Sequence, residues 1–156
     1  MKTYDNTFEK EPVEIADGIY WVGYSDSHSS LHCNPYLIVE GDKAVLIDGG
    51  SRDDFSSVML KILRTGLKPE QISRLIYQHY DPDLCGSLPQ MEAIINSDAL
   101  RIISHGENNI FIHYYSAKTQ KLDLAILKNH KEVILIQHWL MFFCRLTRRL
   151  EHFMSP

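Results

Sequence analysis

Alternating apolar and polar residues in the first fifty positions predict two β-hairpins. The turn sequence of the first is Asp17-Gly18 and that of the second is Gly41-Asp42. Glycine beside aspartate between two apolar runs is a typical hairpin signal, because glycine readily adopts positive φ. The flanking runs, rich in β-branched and aromatic residues, are 13–15 and 19–22 in the first hairpin and 36–40 and 44–48 in the second.

After residue 50 the pattern changes to an alternation of helices and strands. Apolar side chains recur at helical spacing between residues 53 and 65, with acidic residues in the predicted first turn and Gly66 just past the end. Ser87 and Gln90 form a capping-box pair that predicts the start of another helix. The other predicted elements are a buried strand at 73–77, a helix at 87–95, a strand at 100–104 and a short helix at 107–115. Hairpins followed by this alternation indicate a mixed α/β layered fold.

The last third of the chain differs from the rest in composition. All eight glycines lie at or before Gly106, and Pro156 is the only proline after Pro89. Residues 133–144 are strongly apolar, but the run is shorter than the ~20 residues that a membrane span requires. We expect a buried or partner-covered helix here, with a basic amphipathic helix on a membrane surface as the alternative.

Composition and charge narrow the range of partners. A chain of 156 residues that is 44% hydrophobic and 23% charged is typical of one globular domain. Its net charge of -4 gives no electrostatic reason to expect binding to nucleic acid, so small molecules or proteins are the expected partners. The polar, acidic N-terminal segment has no signal-peptide run, and we expect a cytoplasmic protein. Three cysteines without zinc-finger spacing predict reduced thiols; a nearby metal would lower the pKa of Cys85.

The strongest candidate chemistry lies in the segment Gln-His-Tyr-Asp-Pro-Asp at residues 78–83, directly after a predicted strand. Alternate residues of an extended segment point to one side, and Pro82 biases the residue before it towards extended backbone. His79, Asp81 and Asp83 would then present an imidazole and two carboxylates, all metal ligands, on one face. Open α/β sheets form ligand sites at the carboxyl ends of their strands. Asp-Pro-Asp is also ordinary turn chemistry, so spacing alone leaves both interpretations open.

Three features of the sequence resemble a known family. They are Leu46-Ile47-Asp48-Gly49-Gly50 at a strand end, His32-Cys33-Asn34-Pro35, and the His79-x-Asp81-x-Asp83 segment. Together with the two hairpins they resemble the metallo-β-lactamase fold. Within that fold they are most similar to the diiron domain of flavodiiron proteins and related oxygen-binding diiron proteins. The resemblance extends from about Asp17 to Tyr115 and implies an α/β layered sandwich of which the chain holds the first half.

The resemblance implies a role for each residue that matches the family's loop, whose form is His-x-Glu/Asp-x-Asp-His. His79 and Asp81 would bind one metal ion and Asp83 the other. Asp48 would lie behind the site and orient the ligands through hydrogen bonds.

One position of the loop departs from the family. Leu84 stands where the family has its second histidine and cannot coordinate a metal. His32, on the preceding polar loop, is the candidate replacement. A solvated loop histidine is the alternative interpretation, and His28 is a weaker candidate.

The resemblance also implies a division of the chain. Residues 1–115 would form a half-domain of this diiron type, and residues 116–156 an atypical, helical C-terminal segment. Either the fold is cut to its first half, or this last segment is not native to it because of a shifted reading frame or a substituted terminus. The family continues with a further histidine, a bridging aspartate and a final histidine near glycines, whereas His130, His138 and His152 lie in glycine-free surroundings. A half-sandwich leaves one face of its sheet uncovered, so we expect marginal stability, a partner or a homodimer.

The activity implied by the resemblance is binding, sensing or reduction of dioxygen at a non-haem iron centre. Two iron ions would occupy a complete site, with zinc or manganese as alternatives. If the protein is an enzyme, it would be a flavodiiron-type oxidoreductase without its own flavodoxin domain, served by an external donor of flavodoxin or rubredoxin type. Two alternatives remain: a metal-poor inactive fragment, and a dinuclear metallohydrolase. Against the latter, Asp81 and Leu84 replace two histidines of the hydrolase pattern His-x-His-x-Asp-His.

Overall fold

The structure is a computed structural model that describes residues 10–24, 33–105, 109–116 and 119–122. The chain divides into two units, residues 1–121 and 122–156. The second unit lies outside the described residues except for Leu122, so the predicted apolar helix at 133–144 is outside them too. The same is true of His28 and His32.

The described strands form one seven-stranded sheet whose order follows the sequence. They are β1 (Val13–Ala16), β2 (Ile19–Trp21), β3 (Tyr36–Glu40), β4 (Lys43–Ile47), β5 (Ile72–Tyr77), β6 (Arg101–His105) and β7 (Thr119–Leu122). Strands β1 to β4 pair antiparallel, whereas β4, β5 and β6 pair parallel. Both predicted hairpins and both later strands are confirmed to within one or two residues; β7 was not predicted.

Four helices lie wholly within the described part of the chain. They are α1 (Phe55–Arg64), α2 (Pro82–Cys85), α3 (Leu88–Ile95) and α4 (Asn109–Ile112), with a 3-10 turn at Pro69–Gln71. None of the helices in the described ranges has the length and apolarity needed to cross a membrane.

The start of α1 differs from its prediction. Asp54 precedes the helix as its N-cap residue, and its carboxylate accepts hydrogen bonds from the amide (3.3 Å) and hydroxyl (2.7 Å) of Ser51. The predicted acidic first turn is therefore wrong, because Asp53 and Asp54 both lie before Phe55, the first helical residue. At the other end Gly66 has φ +87°, which confirms it as the residue that ends the helix.

The start of α3 also differs. Ser87 is its N-cap residue, as predicted, but makes no side-chain capping bond, so the capping box is wrong. The physical reason is that α2 ends only two residues earlier and the chain enters α3 through a helical N-cap (φ -81°, ψ -4°). Ser87 N donates instead to Gly50 O (3.1 Å).

The core lies between one face of the sheet and helices α1 and α3. Its buried sheet residues include Leu37, Leu46, Leu75 and Ile102, and its helix residues include Val58, Ile62, Leu88, Met91 and Ile95. Burial of such side chains contributes roughly 1.5–3 kcal/mol each. This packing fixes the side of the sheet at which the parallel strands β4, β5 and β6 have their carboxyl-terminal ends. Asp48 directly follows β4 there, and Gln78 directly follows β5.

Candidate metal centre

Asp48 links the ends of the two central parallel strands. Its amide donates to Ile76 O (2.8 Å), and its carboxylate accepts from the amide (3.0 Å) and side-chain nitrogen (2.7 Å) of Gln78. Asp48 has φ +55°, a left-handed conformation that aspartate tolerates better than most residues. The result is a fixed starting point for the segment that begins at His79.

Burial governs the ionisation of Asp48. Only 3% of the residue is exposed, and desolvation raises the pKa of its carboxyl to about 6. The two hydrogen bonds from Gln78 lower the pKa, the carboxylate of Asp83 raises it, and His79 lowers it. The position behind the site matches the orienting role predicted for Asp48, which stays a prediction.

His79 and Asp81 are the two predicted metal ligands that the structure brings into contact. Nδ1 of His79 lies 3.0 Å from Oδ2 of Asp81, and the two side chains are 49% and 52% exposed. Asp81 is extended (φ -62°, ψ 143°), as predicted for a residue before proline.

Asp83 lies on a helix rather than on an extended loop. The predicted extended conformation is wrong after Asp81, because Pro82 is the first residue of α2 and Asp83 lies in its first turn. The negative charge of Asp83 nevertheless acts on the same region, since it raises the pKa values of Asp48, Cys33 and Cys85.

The backbone of Leu84 anchors the segment to the end of β4. Its carbonyl oxygen accepts hydrogen bonds from Gly49 N (2.9 Å) and Gly50 N (3.1 Å). A side chain at Gly49 has no room, because its Cβ would lie 2.6 Å from Ser87 Oγ and 2.9 Å from Tyr77 OH. The two glycines after Asp48 thus allow the end of β4 to pack closely against the segment that contains Leu84.

The cysteine thiols near this region are buried. Burial, together with the negative charges of Asp48, Asp81 and Asp83, raises the pKa of the Cys85 thiol to about 11. The thiol donates to Tyr80 O (3.0 Å) and so supports the loop backbone. The surrounding residues therefore raise the pKa of Cys85 rather than lower it. Cys33 is also buried, and its pKa is raised as well.

The spacing of His79 and Asp81 matches that of two neighbouring ligands around one metal ion. Ligand atoms bound at ~2.1 Å and at right angles are about 3.0 Å apart, and Nδ1 of His79 and Oδ2 of Asp81 have this separation. Within the described ranges, no three His, Cys, Asp or Glu side chains are placed to hold one ion. His32, the predicted extra ligand, lies outside those ranges.

Gln78 is a site residue for which the sequence predicted no role. It contributes both hydrogen-bond donors to Asp48. The available signal was its position, one residue after β5 and one before His79, where a polar side chain can reach the neighbouring strand end.

Substitution of Gly86 tests the packing of this loop. An added Cβ would lie 2.4 Å from Pro82 O and 3.1 Å from Arg52 N, both backbone atoms that move only together with the chain. We expect Gly86→Ala to lower the free energy of unfolding by about 1–3 kcal/mol in urea titrations. Gly66→Ala measures the opposite case, because no atom lies within 4 Å of its added Cβ but its φ is +87°. Gly86 has φ -61°, so backbone strain does not contribute to a loss of stability there. A Gly86→Ala protein as stable as wild type would contradict the close approach.

Solved structures define the class of fold. The metallo-β-lactamase SMB-1 is 16% identical, with a TM-score of 0.64 over 72% of this chain and 46% of its own. The subclass B3 enzyme MEM-A1, from a soil metagenome library, is 18% identical, with a TM-score of 0.62 over 72% of this chain and 46% of its own. These similarities confirm the predicted metallo-β-lactamase-like α/β fold, of which the chain spans about half.

The family is shown by the sequence itself. A family model described as "ODP family beta lactamase" matches residues 31–145, well over half of the chain. The chain belongs to this family, and the predicted family resemblance is confirmed. The match continues 30 residues past the domain boundary predicted at residue 115, and that boundary stays a prediction.

One curated relative is a redox protein by name. The "Nitric oxide reductase" of Moorella thermoacetica (strain ATCC 39073 / JCM 9320) is 27% identical over 116 residues, which cover 67% of this chain. The chain spans only 29% of that protein's length.

Proposed function

We propose that this protein contributes a non-haem iron site at the carboxyl end of β4 and β5, and that the site serves binding or reduction of a small diatomic gas, dioxygen or nitric oxide. The observation that carries the proposal is the 3.0 Å separation of His79 Nδ1 and Asp81 Oδ2 beside the buried carboxylate of Asp48. Membership of the ODP family and the similarity to a nitric oxide reductase support redox chemistry over hydrolysis.

The proposed ligands are His79 and Asp81 for one ion and Asp83 for a second. A mixed histidine and carboxylate donor set with open positions suits non-haem iron better than zinc, and manganese is the alternative. Bound iron would supply the open coordination position and the one-electron chemistry that a gas substrate needs. The chain itself holds the ligand side chains in place and keeps the negative charge of Asp48 behind them. Two hydrogen bonds from Gln78 hold the Asp48 carboxylate in that position.

Turnover would need electrons from outside this domain. We infer that a donor of flavodoxin or rubredoxin type would supply them, in keeping with the similarity to a nitric oxide reductase. Without such a donor the same site would bind or sense the gas.

A metal-poor chain is the second candidate, and one observation favours it. The described residues place only His79 and Asp81 in direct contact, without a third ligand at the same point. Two protein ligands hold a metal ion weakly, so this candidate predicts iron that is lost on desalting.

Iron content separates the two candidates. We expect protein loaded anaerobically with Fe²⁺ to retain iron after desalting, His79→Ala to lose nearly all of it, and Asp83→Ala to retain less than wild type. The reason is that each substitution removes one proposed ligand. Elemental analysis of Fe, Zn and Mn per chain is the measurement.

Asp98→Ala is the matched control. Asp98 is an exposed carboxylate that precedes β6, at the opposite end of the parallel strands from His79. It should leave the iron content unchanged. Equal iron in Asp83→Ala and wild type would remove Asp83 from the ligand set, and near-zero iron in wild type would favour the metal-poor candidate.

A further inference from the structure

A stack of three aromatic rings connects His79 with helix α4. The His79 imidazole stacks on the Tyr80 ring, with centroids 4.6 Å apart and planes 21° from parallel. The Tyr80 ring stacks in turn on Phe111, at 4.2 Å and 21°. Near-parallel rings at these distances attract each other and restrict rotation about their side-chain bonds.

Helix α4 holds Phe111 in place from two sides. Ile112 is fully buried in the core, which anchors the helix next to Phe111. Ser116 Oγ, just past the helix, donates to Glu92 Oε1 of α3 (2.6 Å). Phe111 itself is 44% exposed, so burial of its own surface does not explain why a large apolar ring stands at this position.

Tyr80 is held at its backbone as well as at its ring. Its carbonyl accepts from the Cys85 thiol (3.0 Å), and its side chain packs against the core cluster. The Tyr80 ring is therefore a fixed surface with His79 on one face and Phe111 on the other. The imidazole of His79, half exposed to solvent, is restrained by this surface and by the contact of Nδ1 with Asp81.

We propose that Phe111 is a positioning residue: through the ring of Tyr80 it sets the orientation of the His79 imidazole for metal binding. The proposal rests on the proposed iron site. Removal of a group that orients a metal-ligating histidine typically lowers metal affinity without removing a ligand. A purely structural Phe111 would change stability but would leave the state of the His79 ring unaltered.

The test uses Phe111→Ala with two readouts. The first is the apparent Kd for Fe²⁺ alone in an anaerobic titration, which we expect to rise about 3–10-fold, the range that one aromatic contact supplies. The second is NMR of the His79 ring protons in protein to which no metal has been added, identified by their loss in His79→Gln. Ring currents from Tyr80 displace these resonances, and we expect them to move towards free-histidine positions.

Tyr114→Ala is the matched control. Tyr114 lies one turn beyond Phe111 and is 85% exposed, and its amide donates to Phe111 O. Its removal should change neither readout, and Phe111→Tyr should restore both because it keeps a stacking ring. Phe111→Leu retains apolar volume without a ring and serves if the alanine variant fails to fold; it should show the same shift of the His79 resonances.

The outcomes separate this proposal from the function on which it rests. Unchanged His79 resonances and unchanged Fe²⁺ affinity in Phe111→Ala or Phe111→Leu would overturn the positioning role, and so would equal effects from Tyr114→Ala. If wild-type protein binds no Fe²⁺, the iron site fails, while the NMR readout still decides whether Phe111 orients His79.

Discussion

Lys61→Ala is expected to lower the free energy of unfolding by about 3–5 kcal/mol. Lys61 lies on α1 with no exposed surface, its Nζ donates to Gly23 O (2.6 Å), and it lies 4.2 Å from the centre of the Trp21 ring. Alanine would leave a cavity where the four methylenes pack and a buried carbonyl without this donor, and an unpaired buried acceptor alone costs about 1–3 kcal/mol. Urea titration followed by tryptophan fluorescence is the measurement.

Lys61→Met separates the two contributions. Methionine keeps most of the apolar stem but cannot donate to Gly23 O, so its loss of stability should be about 1–3 kcal/mol, smaller than that of alanine. The hydrogen bond from Lys61 to Gly23 O also restrains the chain just before residues 25–32. Just after them, Asn34 Oδ1 accepts a hydrogen bond from Trp21 Nε1 (2.9 Å). An alanine variant within about 0.5 kcal/mol of wild type, the usual range for surface sites, would contradict the buried position of Lys61.

Asp48→Asn is expected to make the protein more stable at pH 7.5 by about 3 kcal/mol while leaving its stability near pH 4 almost unchanged. Burial raises the pKa of Asp48 from 3.8 to about 6 in the folded protein. The unfolded chain therefore ionises first as pH rises, and Asp48 contributes stability that is present below about pH 4 and is lost as pH rises through about 6. Asparagine cannot ionise, so that loss should disappear.

The difference between the two proteins across pH isolates this one group. Urea titrations of wild type and Asp48→Asn at several pH values from 4 to 7.5 are the measurement, and the gap should open between pH 4 and 6. Asn tolerates the φ of +55° and can accept from the Gln78 amide, whereas Asp48→Ala would leave that amide without an acceptor. A gap that does not depend on pH would mean that Asp48 ionises as readily in the folded protein as in the unfolded chain.

Local sequence patterns predicted most of the described elements. The hairpins, β5, β6, α1 and α3 follow from turn residues and from apolar spacing, which act over a few neighbouring positions. The patterns failed at helix starts. Asp54 lies before α1 and accepts hydrogen bonds from Ser51, and Ser87 makes no side-chain capping bond because α2 ends only two residues before it. β7 was missed because the residues before it carry no turn signal that separates it from α4.

The sequence by itself determined the family, the layered α/β fold and the presence of His79, Asp81, Asp83 and Asp48 near one strand edge. Only the tertiary structure decided how these groups relate: that His79 contacts Asp81, that Asp83 lies on a helix, and that Gln78 holds Asp48. It also decided that Lys61 is buried and that Phe111 reaches His79 through Tyr80. The contacts of Gln78 with Asp48 and of Lys61 with Gly23 join residues 30 and 38 positions apart. Such contacts depend on how the strands pair and how the helices pack on the sheet rather than on local spacing.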